Sequence, residues 1–298
     1  MEPTPLILPR SKLHYTRSPV DGCIYRILIA LPEEPPPPDG YPAIFLLDAN
    51  ATFLTTVESL RMRSRRTGST GIEPAVIVGI GYDTSGAYDE ERRIYDFTRS
   101  DTNVAQRTSR SAHTTGGSAF FARFIDEIVR PLAANEAPLN LARQSLIGHS
   151  LGGCFVLSRL LEHPQSFESY IAISPSIWSD EAWLLEQIEH LPARFIDASP
   201  RRVLITVGEF EQSIAPWQSS LPDIERIIAM RSERAMRDKA RNMASNLVHT
   251  TKDMGPNRLI VRFEELLGED HSSSALVGIS HGLRMALWAG AAALHNVP

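Results

Sequence analysis

The sequence predicts an α/β fold of the doubly wound class, with a mostly parallel sheet and helices on both faces. Short, continuously apolar segments recur along the chain, and continuous apolarity is typical of parallel strands that are buried on both faces. Segments with helical periodicity lie between them, and strands that alternate with helices build parallel sheets. The predicted strands are residues 43–47, 75–81, 145–150, 169–174, 203–208 and 259–263, and the predicted helices are residues 120–132, 151–162 and 224–247.

Other segments predict the periphery of this fold. Residues 22–31 form a predicted strand rich in branched side chains, and residues 14–18 could pair with it through a turn at residues 19–22. Residues 61–72, which combine four arginines with small residues, and the polar residues 96–118 are predicted as long loops. Loops of that length in a compact domain are often functional.

A length of 298 residues fits one large α/β domain, and we expect a single domain over residues 1–298. Within it, residues 213–247 begin with a loop that contains tryptophan and proline and continue as a charged helical pattern. They are therefore predicted as a loop-plus-helix insertion. We expect the inserted loops to form a partial lid over the carboxyl ends of the strands, where ligands bind in such sheets.

The composition excludes several classes of function. Asp and Glu (35) outnumber Lys and Arg (30), for a formal charge of −5, which argues against a nucleic-acid partner. The apolar run at residues 285–294 is far shorter than the roughly 20 residues that span a bilayer, so no membrane partner is expected. Two cysteines exclude a disulfide framework, and no metal-ligand spacing is present, so neither a metal nor another cofactor is expected. The N-terminus lacks a basic segment followed by an apolar one, which predicts a cytoplasmic protein without a standard export signal.

The strongest local motif is GHSLGG, residues 148–153, which fits the G-x-S-x-G nucleophile elbow. A predicted strand precedes it and a predicted helix follows, as the elbow requires. The turn would expose the Ser150 hydroxyl above the sheet, which makes Ser150 the candidate nucleophile. The Leu151 N–H would lie at a helix N-terminus, where it could stabilise an oxyanion. A second backbone donor is expected near Ala49 or Asn50, after the strand at residues 43–47, whereas Asp48 is interpreted as a turn residue.

The candidate general base is a histidine downstream of Ser150, as in the nucleophile–acid–histidine order of α/β hydrolases. Among the candidates, His271 is favoured because it follows the last predicted strand and precedes a helix opened by serines. That placement puts it in a loop at the carboxyl end of the sheet. The others are predicted at helix ends, in a polar turn, on a helix surface or in the tail: His163, His190, His249, His281 and His295.

The candidate acid follows the strand at residues 203–208. Glu209 and Glu211 both lie at the end of that strand, and an acid here would hold the tautomer of the histidine. Glu211 is favoured because it lies further into the loop and has more freedom to reach His271. Glu209, or a dyad without an acid, stays open.

Several segments together resemble the putative-esterase family of α/β hydrolases, and most closely the esterases of ferric siderophores of the enterobactin type. The resemblance spans residues 14–288 and is specific where the motifs occur in order. They are LLDAN, RRIYDFT, GGSAFFARFIDE, GHSLGG, SPSIW, VGEFEQ and GEDHSSSALVGISHGLRMAL.

The resemblance implies an α/β-hydrolase fold, with Ser150 as nucleophile, His271 as base and Glu211 as acid, although some relatives use a Ser–His dyad. It also implies the Asn50 N–H as the second oxyanion donor. Many relatives have glycine where this chain has Ala49, which departs from the family pattern. The RRIYDFT segment matches a loop that lines the site in the family.

The predicted function is that of a serine esterase which hydrolyses a ferric siderophore of the trilactone type through an acyl-enzyme. The expected partner is therefore a small-molecule ester. Six residues are candidate substrate-binding residues, four as a basic site mouth and two as an apolar wall: Arg61, Arg63, Arg65, Arg66, Trp178 and Trp217. A general carboxylesterase, a feruloyl-type esterase and an acyltransferase are alternatives, as is a non-catalytic binding protein. Packing in the core is an equally good interpretation of Trp178.

Overall fold

A computed structural model describes residues 7–100, 115–197, 199–255 and 258–288. Within these ranges eight strands form one sheet in the order β1-β2-β4-β3-β5-β6-β7-β8. β1 and β2 pair antiparallel, as do β2 and β4, and all other pairs are parallel. The strands are β1 (Ser11–Arg17), β2 (Ile24–Ala30), β3 (Tyr41–Leu46), β4 (Val76–Tyr82), β5 (Leu139–His149), β6 (Ser169–Ile173), β7 (Arg201–Gly208) and β8 (Leu259–Leu266).

Helices cover both faces of the sheet, which confirms the predicted α/β class. They are α1 (Ala49–Ser64), α2 (Thr67–Thr70), α3 (Glu90–Phe97), α4 (Ser118–Phe124), α5 (Arg130–Glu136), α6 (Leu151–Glu162), α7 (Glu181–Arg194), α8 (Ile224–Arg234), α9 (Met236–Thr251) and α10 (Ser274–Leu287). A π-helical turn, Ile125–Val129, joins α4 to α5 in one continuous helical run. No helix in the described ranges is long and apolar enough to cross a membrane.

Successive strand residues point to opposite faces and build two cores. On one face, Ile44 and Leu46 of β3 pack with α1 and α10. On the other face, Phe45 packs with apolar residues of α4, α6, α7 and α9. The strands are buried on both sides, which explains why their sequences are continuously apolar.

Two predicted boundaries are wrong. Residues 61–72 are not a long loop, because α1 continues to Ser64 and α2 follows directly. Residues 224–247 are not one helix, because Ala235 adopts a left-handed conformation (φ 44°) that separates α8 from α9. α9 buries Met236, Met243 and Leu247 in the core, so it is part of the layer on the sheet, while α8 buries none of its residues. Of residues 96–118, also predicted as a loop, 101–114 lie outside the described residues.

The topology determines where a site can form. The chain leaves β3 for β4 on one side and later enters β5 on the other side of β3, which makes the β3–β5 boundary a switch point. Ligands bind at such a point, outside the carboxyl ends of the strands. There α1 begins directly after β3, and α6 begins directly after β5.

Candidate active site

Ser150 lies in the sharp turn between β5 and α6, with backbone angles φ 60° and ψ −119°. A residue with a Cβ rarely adopts these backbone angles, so the surrounding turn must hold Ser150 in this conformation. Gly148 permits the turn, since a Cβ at that position would lie 2.4 Å from the carbonyl oxygen of Gly152. The predicted nucleophile elbow therefore has the backbone that the motif requires.

Three side chains form a chain of hydrogen bonds at the carboxyl edge of the sheet. The Ser150 hydroxyl lies 3.1 Å from His271 Nε2, and His271 Nδ1 lies 2.7 Å from Glu211 Oε2. The His271 side chain is 41% exposed, so a substrate can reach it, whereas the Glu211 side chain is buried. The structure thus brings together the predicted nucleophile, base and acid. Glu209 instead accepts a hydrogen bond from the Gly268 N–H.

The second oxygen of Glu211 is held by groups that the histidine does not use. Oε1 accepts hydrogen bonds from the Gly208 N–H, at 2.7 Å, and from the Ser174 hydroxyl. Burial raises the pKa of Glu211, but the hydrogen bonds from His271, Ser174 and Gly208 outweigh it, so the net pKa is lowered. The ionised Glu211 therefore stabilises the folded protein at pH values above the pKa that this group has in the unfolded chain. This stabilisation is lost as the pH falls through the lower pKa of the folded state.

Two donors converge on the backbone carbonyl of His271. His149 Nε2 lies 2.8 Å from this oxygen, and the Ser274 hydroxyl donates to it over 3.0 Å. Because a carbonyl can only accept, His149 carries its proton on Nε2. The two imidazole rings are also adjacent, with centroids 4.7 Å apart. Burial of the ring and the neighbouring His271 lower the pKa of His149 to about 3, which keeps its imidazole neutral.

We expect His149→Phe to lower kcat by about 10- to 100-fold with little change in KM, because it removes the donor that fixes the loop of His271. Steady-state kinetics on an activated ester measure both constants. His149→Gln places an amide N–H at about the same distance and should restore most of kcat. The exposed His190, on α7, gives the control His190→Phe. Equal losses in the Phe and Gln variants would contradict a positioning role.

A second serine touches the nucleophile. Ser176 Oγ lies 3.2 Å from Ser150 Oγ, and the Ser176 N–H donates to the Ser150 carbonyl over 3.0 Å. When Ser150 donates its proton to His271, the Ser176 hydroxyl must be the donor in this pair. It therefore helps to aim the lone pairs of the nucleophile.

Two helix N-termini meet beside Ser150. Leu151 is the first residue of α6, and Asn50 lies in the first turn of α1, where N–H groups have no partner within the helix. The strands before them are neighbours, since the Leu47 N–H donates to the Ile147 carbonyl over 3.0 Å. The Asn50 side chain is fixed by two hydrogen bonds to the backbone of Tyr82. The arrangement is compatible with the predicted oxyanion donors Leu151 and Asn50.

A buried ion pair supports the turn before Asn50. Asp48 has φ 51°, and both of its carboxylate oxygens bind Arg93, with Nε–Oδ1 at 3.1 Å and Nη2–Oδ2 at 2.8 Å. Burial lowers the pKa of Arg93, but the Asp48 carboxylate raises it by more. The net pKa is therefore raised, and the guanidinium stays charged. Arg93 thus neutralises the carboxylate at the N-cap of α1. The sequence did not predict this ion pair.

Loss of this ion pair should destabilise the fold strongly. Arg93→Met leaves the Asp48 carboxylate buried without a partner, and we expect a loss of about 3–5 kcal/mol in the free energy of unfolding. Denaturant titration measures it. The double variant Asp48→Asn with Arg93→Met should regain much of that loss. If the double variant loses as much free energy of unfolding as the two single variants lose in sum, the interaction between Asp48 and Arg93 does not contribute to stability.

The four predicted substrate-binding arginines do not lie at the site. Arg61 and Arg63 lie near the end of α1, which begins at the carboxyl edge of the sheet, so Arg61 lies about 16 Å along the axis from Asn50. Arg65 follows the last residue of α1. Arg63 binds the Ser280 carbonyl of α10 at 2.7 Å, and Arg61 and Arg65 line a cavity of about 250 Å³ together with Glu33 and Glu58. Arg66 precedes α2 at the same end. The structure therefore does not bring these four arginines together with the triad.

The two predicted tryptophans differ in exposure. Trp178 follows Ser176 in a short 3₁₀ turn, is only 8% exposed and belongs to the core. Trp217 is 60% exposed and packs edge-to-face on Phe210, which precedes Glu211. Of these two tryptophans, Trp217 is the one with an exposed ring, and its partner Phe210 adjoins Glu211 in the sequence.

Residues 18–255 match the family described as Putative esterase. The chain belongs to this family. The ferri-bacillibactin esterase BesA of Bacillus subtilis (strain 168) is 34% identical over 283 residues, covering 94% of this chain and 90% of the relative. The siderophore triacetylfusarinine C esterase of Aspergillus fumigatus is 33% identical over 294 residues, covering 95% of both chains. A crystal structure of the BES protein from Bacillus cereus superposes with a TM-score of 0.79 at 31% identity and covers 97% of this chain and 98% of that one.

Members of this esterase family are carboxylic ester hydrolases, and so is this chain. Its fold is that of the α/β hydrolases, as the resemblance implied. Sequence reasoning missed His149, Ser174 and Ser274 around the triad. Signals were present, since the first is the variable residue of the elbow motif and the others lie in the SPSIW and GEDHSSS segments.

Proposed function

We propose that this protein hydrolyses the ester bonds of a ferric siderophore through an acyl-enzyme on Ser150. The observation that carries the proposal is the hydrogen-bonded chain from the Ser150 hydroxyl through His271 to the buried Glu211. A neutral His271 can accept the serine proton at Nε2 while its Nδ1–H is held by the carboxylate.

In the acylation half-reaction, Ser150 Oγ attacks the ester carbonyl carbon as its proton moves to His271 Nε2. The negative charge that develops on the carbonyl oxygen is stabilised by the Leu151 and Asn50 N–H groups at the two helix N-termini. Glu211 stabilises the imidazolium. Collapse of the tetrahedral intermediate breaks the ester C–O bond, and the leaving alkoxide takes the proton from His271.

In the deacylation half-reaction, His271 removes a proton from a water molecule, which attacks the acyl carbon on Ser150. The same N–H groups hold the second oxyanion. The products are a carboxylic acid and regenerated Ser150, so no other reactant is needed. A macrocyclic trilactone would be opened by the first such cycle.

The choice of substrate rests on the relatives. BesA is named for ferri-bacillibactin, and the Aspergillus fumigatus enzyme is named for triacetylfusarinine C. Both are siderophores, and both relatives align with about the whole of this chain. We propose that Trp217 contributes an aromatic wall for such a bulky ligand, because it is exposed next to Phe210 and the triad.

Steady-state kinetics on a ferric trilactone, on its iron-free form and on a nitrophenyl acetate test this proposal. We expect kcat/KM to be highest for the siderophore. A preference for the simple ester would instead support a general carboxylesterase, and a preference for hydroxycinnamate esters would support a feruloyl-type esterase. Transfer of the acyl group to an added alcohol in place of water would indicate an acyltransferase.

A further inference from the structure

Two arginines on one face of α8, Arg231 and Arg234, contact segments that adjoin members of the triad. Arg231 donates to the Ser213 carbonyl at 2.5 Å, two residues after Glu211, and it contributes to the lowered pKa of Asp270, which adjoins His271. Arg234, one helical turn further, places its guanidinium 4.5 Å from the ring centre of Trp178, near Ser176. Arg231 therefore lies by the segments that carry Glu211 and His271, and Arg234 lies by the segment that carries Ser176.

Neither arginine has a carboxylate within 4.0 Å among the residues described. The carboxylate of Asp270 is engaged by the Ser272 and Ser273 N–H groups and by the side chain of Gln218. Burial lowers the pKa of Arg234 by more than the neighbouring Glu233 raises it, so this cation is partly removed from water with no ion pair to the residues described. Desolvation of a charge that has no counterion is unfavourable, and an anion supplied by a ligand would compensate it.

The stacking on Trp178 gives Arg234 a defined orientation. A guanidinium over an aromatic ring keeps its N–H groups free at the edge of its plane. Those groups match paired oxygens, such as the two oxygens of a catecholate or a carboxylate. Arginines in the last turn of a helix also interact favourably with the helix dipole. The dipole alone does not account for the burial of Arg234 or for its contact with Trp178.

We propose that Arg231 and Arg234 form an anion-binding subsite that selects ferric siderophores with a net negative charge over neutral ones. Three catecholates around a ferric ion leave a net negative charge, whereas three hydroxamates leave none. This inference rests on the proposed function and adds the substrate class. It also relocates the predicted basic mouth of the site from residues 61–66 to α8.

The test compares a ferric tricatecholate trilactone with a neutral ferric trihydroxamate triester. For Arg231→Gln with Arg234→Gln, we expect KM for the anionic complex to rise about 10-fold or more, with KM for the neutral complex within about 2-fold. Added salt should weaken binding of the anionic complex by the native protein and not by the variant. Arg226, on the same helix, is exposed and paired with Asp223, so Arg226→Gln is the matched control and should change neither KM.

The outcomes separate this inference from the proposed function. If the native protein cleaves neither ferric complex, the proposed function fails. If it cleaves ferric complexes but shows no preference for the anionic one, or if the double variant keeps that preference, only the subsite is overturned. If the double variant has a lower Tm but the same preference for the anionic complex, both arginines only stabilise the C-terminal end of α8, and the subsite is overturned.

Discussion

Ser150→Ala should abolish ester hydrolysis, with kcat reduced about 10⁵-fold or more, because it removes the hydroxyl that His271 activates to form the covalent bond to the acyl carbon. Binding of the ferric substrate should persist with Kd within about 3-fold of the native value, since alanine removes a single oxygen atom. Hydrolysis followed by chromatography of the products measures the first quantity, and quenching of tryptophan fluorescence by the ferric complex measures the second.

The control for this change is Ser158→Ala in α6, whose hydroxyl donates to the Cys154 carbonyl and has no contact with the triad. Its kcat should lie within about 2-fold of the native value. A fluorophosphonate probe should label the native protein and the control, and should leave Ser150→Ala unlabelled. Activity retained in Ser150→Ala would refute the covalent mechanism.

Glu211→Gln should lower kcat about 10³- to 10⁴-fold with little effect on KM. Oε1 of the new amide can still accept from the Gly208 N–H and the Ser174 hydroxyl, so its NH₂ group faces His271 Nδ1. An N–H that donates to Nδ1 forces the histidine proton onto Nε2, and the imidazole then cannot accept the proton of Ser150. Steady-state kinetics at the pH of maximal activity measure the effect.

Glu209→Gln is the matched control, because its carboxylate comes from the same turn but binds the Gly268 N–H. We expect it to retain activity within about 3-fold. A large loss in Glu209→Gln together with a small loss in Glu211→Gln would reverse the assignment of the acid. Small losses in both would indicate a Ser–His dyad.

The sequence predicts the three members of the triad with different completeness, and each case has its own physical reason. The elbow is local, so one contiguous motif suffices to predict Ser150. His271 follows from its position after the last strand, since chain order and topology bring that loop to the same edge. Glu209 and Glu211 leave the strand two residues apart, and only the course of the 3₁₀ turn at Glu209–Glu211 decides which carboxylate turns inward.

The misplaced arginines show what sequence patterns hide. α1 turns Thr52 and Thr56 to the core, and the Thr56 hydroxyl donates to the Thr52 carbonyl over 2.8 Å. A buried threonine satisfied in this way leaves no apolar stripe, so the helical period disappears from the sequence. The break between α8 and α9 was equally hidden, because the left-handed position there is an alanine rather than the usual glycine.

The contrast between α8 and α9 has a consequence for motion. None of the eleven residues of α8 is buried, and Ile228 and Met230 are exposed on it, so separating this helix from the sheet would uncover little apolar surface. Such a segment opens locally at a small free-energy cost, while the core stays folded. Amide protons of α8 should therefore exchange with solvent far faster than those of α6. Because the proposed opening of a ring ester yields a longer, more extended molecule, we expect a helix that lifts away independently to give the hydrolysed product a route out.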